Sequence, residues 1–288
     1  MSGKIVVKGY TVGSKIDQSG LKKIHKALDI KTGKEVFMTL TAVRRGRALN
    51  ALARRAAQSQ KLSLPSLVTA IDHGLVSDQF FYYTHSAVSS FPLEQVLEQS
   101  ADEVERYYSL FRYFLQALEV VDYIHEAQTT HRDLNTRQLR VTSKKQLILE
   151  GFINSRPLSE PRNLTSIVHF PYMAPEQLLG ANADKKTDIY SVGVIFYELF
   201  TGSLPYDSNY AKLEDFRNGV APNPTMHKID VPKEIEAVMM KMLGPRESRY
   251  KHTREVINDI EILYSKRSLW MKMCDLSASV KNLFTAMR

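Results

Sequence analysis

The spacing of apolar residues along this chain changes once, near Pro92. Between residues 9 and 88 the apolar and β-branched positions come in runs of strand length. TGKEVFMTLTA, residues 32–42, alternates after a Thr-Gly turn and predicts a strand. LSLPSLVTAIDHG and QFFYYTHSAV supply two further strand-like runs. Residues 47–62 break the series: Ala, Leu and Arg recur there without Gly or Pro, a helix-forming composition.

Beyond Pro92 the period becomes helical. Ser100 and Glu103 read as a capping box in which each side chain satisfies the other's backbone donor. Val104, Tyr107, Tyr108, Phe111, Leu115, Leu118 and Ile124 then follow at helical spacing, predicting a long buried helix ending just before His131. Further helices are expected near 186–202, 232–243 and 253–265. The tail, 266–288, carries Trp270, Met271, Met273, Leu276, Val280, Leu283, Phe284 and Met287, with Lys272 and Lys281 between them. It reads as an amphipathic helix, packed on its own domain or offered to a partner or membrane surface.

Composition narrows the classes. At 288 residues, 43% hydrophobic and 24% charged, the chain has the balance of a soluble globular protein able to bury a large core. Its longest apolar run, Ile189 to Tyr197, stops at Glu198, short of the ~20 residues a membrane helix needs. The first residues lack the apolar region of a secretory signal. A single cysteine, Cys274, excludes an internal disulfide and a cysteine-based zinc cluster; a cytoplasmic location is expected. The net charge of +8 is concentrated in part at Arg44, Arg45, Arg47, Arg54, Arg55 and Lys61. This segment is either a solvated helix face or a docking surface for an acidic protein or anionic lipid. Nucleic acid ranks last, because no aromatic residue is interleaved for base stacking.

The motifs come from the second part of the chain. HRDLNTRQLRV spans 131–141, with Tyr-Ile-His-Glu upstream and LILEGFINS downstream, followed by YMAPEQ and DIYSVGVIFYELFTGSLPY. In this order and spacing they resemble the catalytic half of a protein kinase, with wording closest to bacterial members having eukaryotic-type Ser/Thr kinase folds. The resemblance covers roughly residues 9 to 264. It implies an α+β, bilobal kinase-like fold: a β-rich N-lobe over 1–88, a helical C-lobe over 89–265, and the tail. Ala174-Pro175-Glu176 resembles the end of an activation segment, and Asp188, Ser191 and Gly193 the central helix motif. His131 and Arg132 match their structural positions, and Arg249 falls where kinases place the partner of that glutamate.

The same resemblance assigns the catalytic positions, and most are altered. Asp133 holds the place of the base. Asn135 replaces the usual lysine, and Gln138 the metal-binding asparagine. Glu150-Gly151-Phe152 stands in place of Asp-Phe-Gly, leaving Glu150 as a displaced candidate metal ligand. The glycine-rich loop becomes Asp17-Gln18-Ser19-Gly20-Leu21-Lys22, with none of the three glycines in place. Thr39 occupies the position of the strand lysine and Arg55 that of its helix glutamate. Phe37 falls where a small residue lies over adenine, and Arg140 where a leucine lies beneath; an arginine–aromatic stack across that slot is expected. Ser155, Ser159, Thr165 and Ser166 are candidate phosphorylation sites facing Arg132, and His169 replaces a substrate-orienting threonine.

The expectation is a pseudokinase, a regulatory or scaffolding module with no cofactor and with protein partners such as an active kinase. One alternative is an atypical Ser/Thr kinase that binds ATP and Mg²⁺, with Lys22 as phosphate-binding cation and Asp133 as base. Another is nucleotide binding without turnover.

Overall fold

A computed structural model describes residues 5–19, 22–43, 47–76, 80–152, 156–157, 170–181, 183–206 and 233–265. The tail 266–288, Arg44 and Arg45, and the stretch holding Ser155, Ser159, Thr165, Ser166 and His169 lie outside them. The chain divides into two compact units, Met1–Ser90 with Ile148–Ser155, and Phe91–Leu147 with Arg156–Arg288.

The first unit is built on a five-stranded sheet. Its strands are β1 (Tyr10–Ser19), β2 (Lys22–Asp29), β3 (Glu35–Ala42), β4 (Asp72–Val76) and β5 (Phe80–Ser86). They pair antiparallel in the order β1-β2-β3-β5-β4. The period of two divides β3 by face. Val36, Met38 and Leu40 join Ala27 and Tyr82 in one buried cluster, so Phe37 and Thr39 look to the other side. There α1 (Arg47–Ser59) packs through Leu49, Leu52, Ala53 and Ala56 against Ala70, Phe81 and Tyr83. LSLPSLVTA does not form the expected strand. Apart from an isolated bridge between Leu67 and Leu149, it is irregular until β4. Its backbone finds partners outside a strand ladder: Ser59 Oγ accepts from the Ala70 amide at 3.1 Å, and the Val68 amide donates to the Leu149 carbonyl at 2.9 Å.

The second unit is mainly helical. After β6 (Ser90–Pro92) come α2 (Leu93–Glu98) and the 24-residue α3 (Glu103–Glu126). The cap of α3 lies two residues beyond the expected Ser100. Asp102 Oδ1 accepts from the Glu105 amide at 2.9 Å, and Glu105 Oε2 reaches back to the Ala101 amide at 2.8 Å. The reciprocal device is the one anticipated, moved to a residue whose charged carboxylate also suits the positive end of the helix dipole. Four short strands, β7 (Thr129–Thr130), β8 (Leu139–Thr142), β9 (Leu147–Leu149) and β10 (Arg156–Pro157), surround the HRD segment in sequence. Helices α4 (Pro175–Leu178), α5 (Lys185–Thr201), α6 (Lys233–Leu243) and α7 (Thr253–Ser265) complete the unit. Helix α5 is buried on nearly every side. Phe114 stacks on Phe196, with ring centroids 3.4 Å apart, and Phe111 meets Phe200 edge-on. A Cβ at Gly193 would lie 2.9 Å from that of Met242, so the glycine lets α6 approach α5.

Candidate functional site

In the second unit the HRD segment is shaped by Asp188, at the start of α5 and fully buried. Its Oδ2 accepts from the His131 amide at 2.7 Å and its Oδ1 from the Arg132 amide at 2.7 Å. These bonds hold Arg132 at φ +64°, a left-handed conformation that costs a non-glycine residue ~1–2 kcal/mol. Arg132 is anchored further by Nε to Thr130 Oγ1 at 2.7 Å. His125, near the end of α3, adds a third bond to the carboxylate, Nε2 to Oδ2 at 2.9 Å. Its Nδ1 meets Thr253 Oγ1 of α7 at 2.8 Å. Burial alone would raise the Asp188 carboxyl, but the hydrogen bond and charge of His125 outweigh it and hold the group below its usual range.

The end of the activation segment is fixed just as closely. Arg249 grips Glu176 in a two-point pair, Nη1 to Oε1 at 2.6 Å and Nη2 to Oε2 at 3.1 Å. Both side chains are buried, 1% and 9% exposed, so neither charge has water as an alternative partner. The pair is the one the sequence implies. Ser191 Oγ donates to the Tyr172 carbonyl at 2.8 Å. The Tyr172 hydroxyl donates to Glu198 Oε2 at 2.5 Å and lies 3.1 Å from Thr136 Oγ1. Burial raises the Glu198 carboxyl above its ordinary range despite this bond, and the charge of Glu94 on α2 adds to the effect.

Between these anchors lie the remaining HRD positions. Asp133 is half-buried. Asn135 donates to its carbonyl from Nδ2 at 3.0 Å, shaping the loop. Gln138 is 9% exposed, and its Oε1 has no hydrogen-bond partner among the described residues. Arg140 sits half-buried on β8, between the buried Leu139 and Val141.

The first unit carries the other assigned positions. Thr39 is 1% exposed and lies in register between Ile24 and Tyr83. The half-buried Phe37 pairs with His85, rings meeting edge-on at 5.8 Å, and His85 in turn lies 5.9 Å from Tyr83. Burial pushes the His85 imidazole down to about 4, so it is neutral at physiological pH. Burial also raises the Tyr83 phenol, and the charge of Glu150 adds to this while Thr39 opposes it. Lys22, half-buried, opens β2 opposite Ser19. Arg55 is half-buried on α1, beside its apolar face.

Sequence reasoning missed His125, Thr253, Glu198, Tyr83 and His85. His125 lies within the Tyr-Ile-His-Glu stretch upstream of the HRD segment, but its bonds to Asp188 and Thr253 were not read from that stretch.

The pattern of the protein kinase domain family matches residues 10–280. The chain belongs to the protein kinase family. Among curated relatives, a probable serine/threonine-protein kinase PknB of Lactococcus lactis is 26% identical over 90% of this chain and 42% of its own length. The serine/threonine-protein kinase PknD of Protochlamydia amoebophila is 28% identical over 70% and 24%, respectively. PrkC of Bacillus subtilis is 22% identical over 91% and 41%. The chain thus spans at most about two fifths of these relatives. Among solved structures, the autoinhibited serine kinase domain of the giant muscle protein titin matches with a TM-score of 0.75 and 16% identity, over 88% of this chain and 79% of that one. That likeness supports the α+β kinase fold.

Kinases of this family hold magnesium and ATP with a strand lysine, a helix glutamate and acidic and amide metal ligands. The donor set here departs from that one. No lysine or arginine occurs anywhere in β3, and no acid anywhere in α1. Among the described residues, no three His, Cys, Asp or Glu side chains converge as a metal group would need.

Proposed function

We propose that this kinase-family protein works as a pseudokinase, a regulatory or scaffolding module that presents surfaces instead of transferring phosphate. One observation carries the reading: β3 offers no cation in any register, and Thr39, which the family resemblance aligns with the lysine, is buried. Phosphoryl transfer depends on charge neutralisation and positioning, so losing the lysine and its glutamate together removes the most direct electrostatic support. The Phe37–His85 pair supports the reading too, since it puts two rings on the sheet face that the family resemblance assigns to adenine. In this reading no nucleotide cofactor is required, the protein is cytoplasmic, and its partner is an acidic protein such as a regulated active kinase. Arg54 and Lys61, both exposed on or just after α1, are the described part of the surface offered to it.

Thermal unfolding with ATP and Mg²⁺ or Mn²⁺ tests the proposal. A ligand at ~100 times its dissociation constant adds ~2.7 kcal/mol, so a flat melting temperature at millimolar ATP is the expected result. Replacing Phe37→Ala with Arg140→Leu, and Thr39→Lys with Arg55→Glu, is expected to introduce a nucleotide-dependent shift.

A second reading, an active atypical kinase, is favoured by the orphan Gln138 Oε1, a buried acceptor beside the HRD segment. The relatives named as kinases point the same way. It requires an ATP shift that Lys22→Ala abolishes and phosphate transfer that Asp133→Ala abolishes. An ATP shift without any transfer marks a nucleotide-binding module without turnover.

A further inference from the structure

The excess positive charge of this chain is confined to one unit. Residues 1–90 and 148–155 contain 14 Lys and Arg against 6 Asp and Glu, whereas the second unit contains 25 of each. Among the described residues, six of the nine exposed large hydrophobic ones also fall in the first unit. Three of those six stand at one end of its sheet, where two tight turns lie side by side. The first turn closes through the Tyr10 amide on the Val7 carbonyl at 3.1 Å, with Gly9 at φ +88°. The second joins β2 to β3 and closes through Gly33 N to Asp29 O at 2.8 Å, with Gly33 at φ +67°. A bond from the Ile30 amide to the Gly9 carbonyl, 3.0 Å, ties one turn to the other.

This paired tip exposes Val6 (76%), Ile30 (63%) and Leu28 (45%) among the exposed lysines Lys8, Lys31 and Lys34. Two acids stand nearby on the surface, each bonded to a neighbour within the protein. Asp29 accepts from the Lys31 amide at 2.9 Å and from Thr32 Oγ1 at 2.7 Å, while Glu35 pairs with Lys26 at 3.4 Å. Ile30 is unusual for its place, because turn positions ordinarily take Gly, Asn, Asp or Ser, whose side chains solvate well or bond locally. Water gains nothing from a β-branched aliphatic at the first inner position of a turn held this firmly.

We propose that this paired turn is a peripheral membrane-binding site, with the aliphatic side chains entering the headgroup region of an anionic bilayer and the lysines facing its phosphates. A protein partner fits less well. A stable interface takes ~800 Å² per side and relies on Trp, Tyr and Arg anchors, and two adjoining turns offer neither that area nor those residues. Aliphatic prongs ringed by lysines match the interfacial chemistry of anionic lipid. No described helix is long and apolar enough to cross a membrane. This inference stands apart from the pseudokinase reading and holds for an active enzyme as well.

Sedimentation with phosphatidylcholine vesicles containing roughly 30% phosphatidylserine tests it. Binding is expected to those vesicles, to fall with added salt, and to be absent from phosphatidylcholine alone. Removing three lysines (Lys8→Ala, Lys31→Ala, Lys34→Ala) should weaken partitioning about a hundredfold. Val6→Asn with Ile30→Asn should weaken it by at least about tenfold. Lys144→Ala with Lys251→Ala, both exposed in the second unit, should leave it unchanged. In a Trp270→Phe background, Ile30→Trp fluorescence should shift to the blue on these vesicles, and Leu75→Trp, on the opposite edge strand β4, should not. Failure of the wild type to sediment overturns the proposal, as does insensitivity to the aliphatic replacements. Tighter binding to polyglutamate than to vesicles, unaffected by Val6→Asn and Ile30→Asn, overturns it in favour of an acidic protein surface.

Discussion

Asp188, Glu176 and Arg249 at the centre of the second unit each have a named partner, and removal of either member has a predictable direction. Arg249→Ala leaves the Glu176 carboxylate buried without its cation, at a cost of ~3–5 kcal/mol in chemical denaturation. Replacing both members with apolar residues of similar volume should cost much less, because no charge is then stranded. Asp188 gives a pH prediction. Its folded value is depressed, so its stabilisation is complete above the ordinary carboxylate range and is lost as pH falls through the folded value. Asp188→Asn should therefore lower stability at neutral pH and flatten the acid side of a stability–pH curve. His85 behaves differently. Buried neutral with a value pushed down to about 4, it favours folding above the unfolded value near 6.5. Stability is lost as pH drops from there toward 4, by at most ~1.4 kcal/mol per pH unit, and His85→Phe should remove that slope.

At the scale of elements, the helices were the legible part. The boundaries of α5, α6 and α7 fall within about two residues of those implied by periodicity, because burial on one helix face leaves a mark every three or four positions, whereas α3 stops at Glu126, earlier than the expected end just before His131. The Glu176–Arg249 pair was legible for another reason, the sequence context that both residues share with a known family. Strand content was legible in outline only. LSLPSLVTA has the composition of a strand, yet its position before β4 leaves it pairing through a single bridge. What could not be read were polar bonds between distant elements. His125 and Thr253 are separated by 128 positions, and Tyr172 and Glu198 by 26, so no local spacing signals either contact. The α5–α6 contact yields its own test: Gly193→Ala places a methyl group 2.9 Å from Met242 Cβ and should destabilise by ~1–3 kcal/mol in thermal or urea unfolding.

For the molecule as a whole, charge divides along the same line as structure. One unit has a formal excess of eight positive charges and the other has none. Self-repulsion in the first should weaken with salt, since the Debye length falls from ~30 Å at 0.01 M to ~10 Å at 0.1 M. Hydrogen exchange is expected to show β1–β3 amides gaining protection over that range while those of α3 and α5 change little.

The contact from Thr253 through His125 to Asp188 ties helix α7 to the loop amides of residues 131 and 132. Trimming this protein for study is thereby constrained from an unexpected direction. A shortened version ending before Thr253 would keep every residue of the HRD segment and still release the latch that gives it shape.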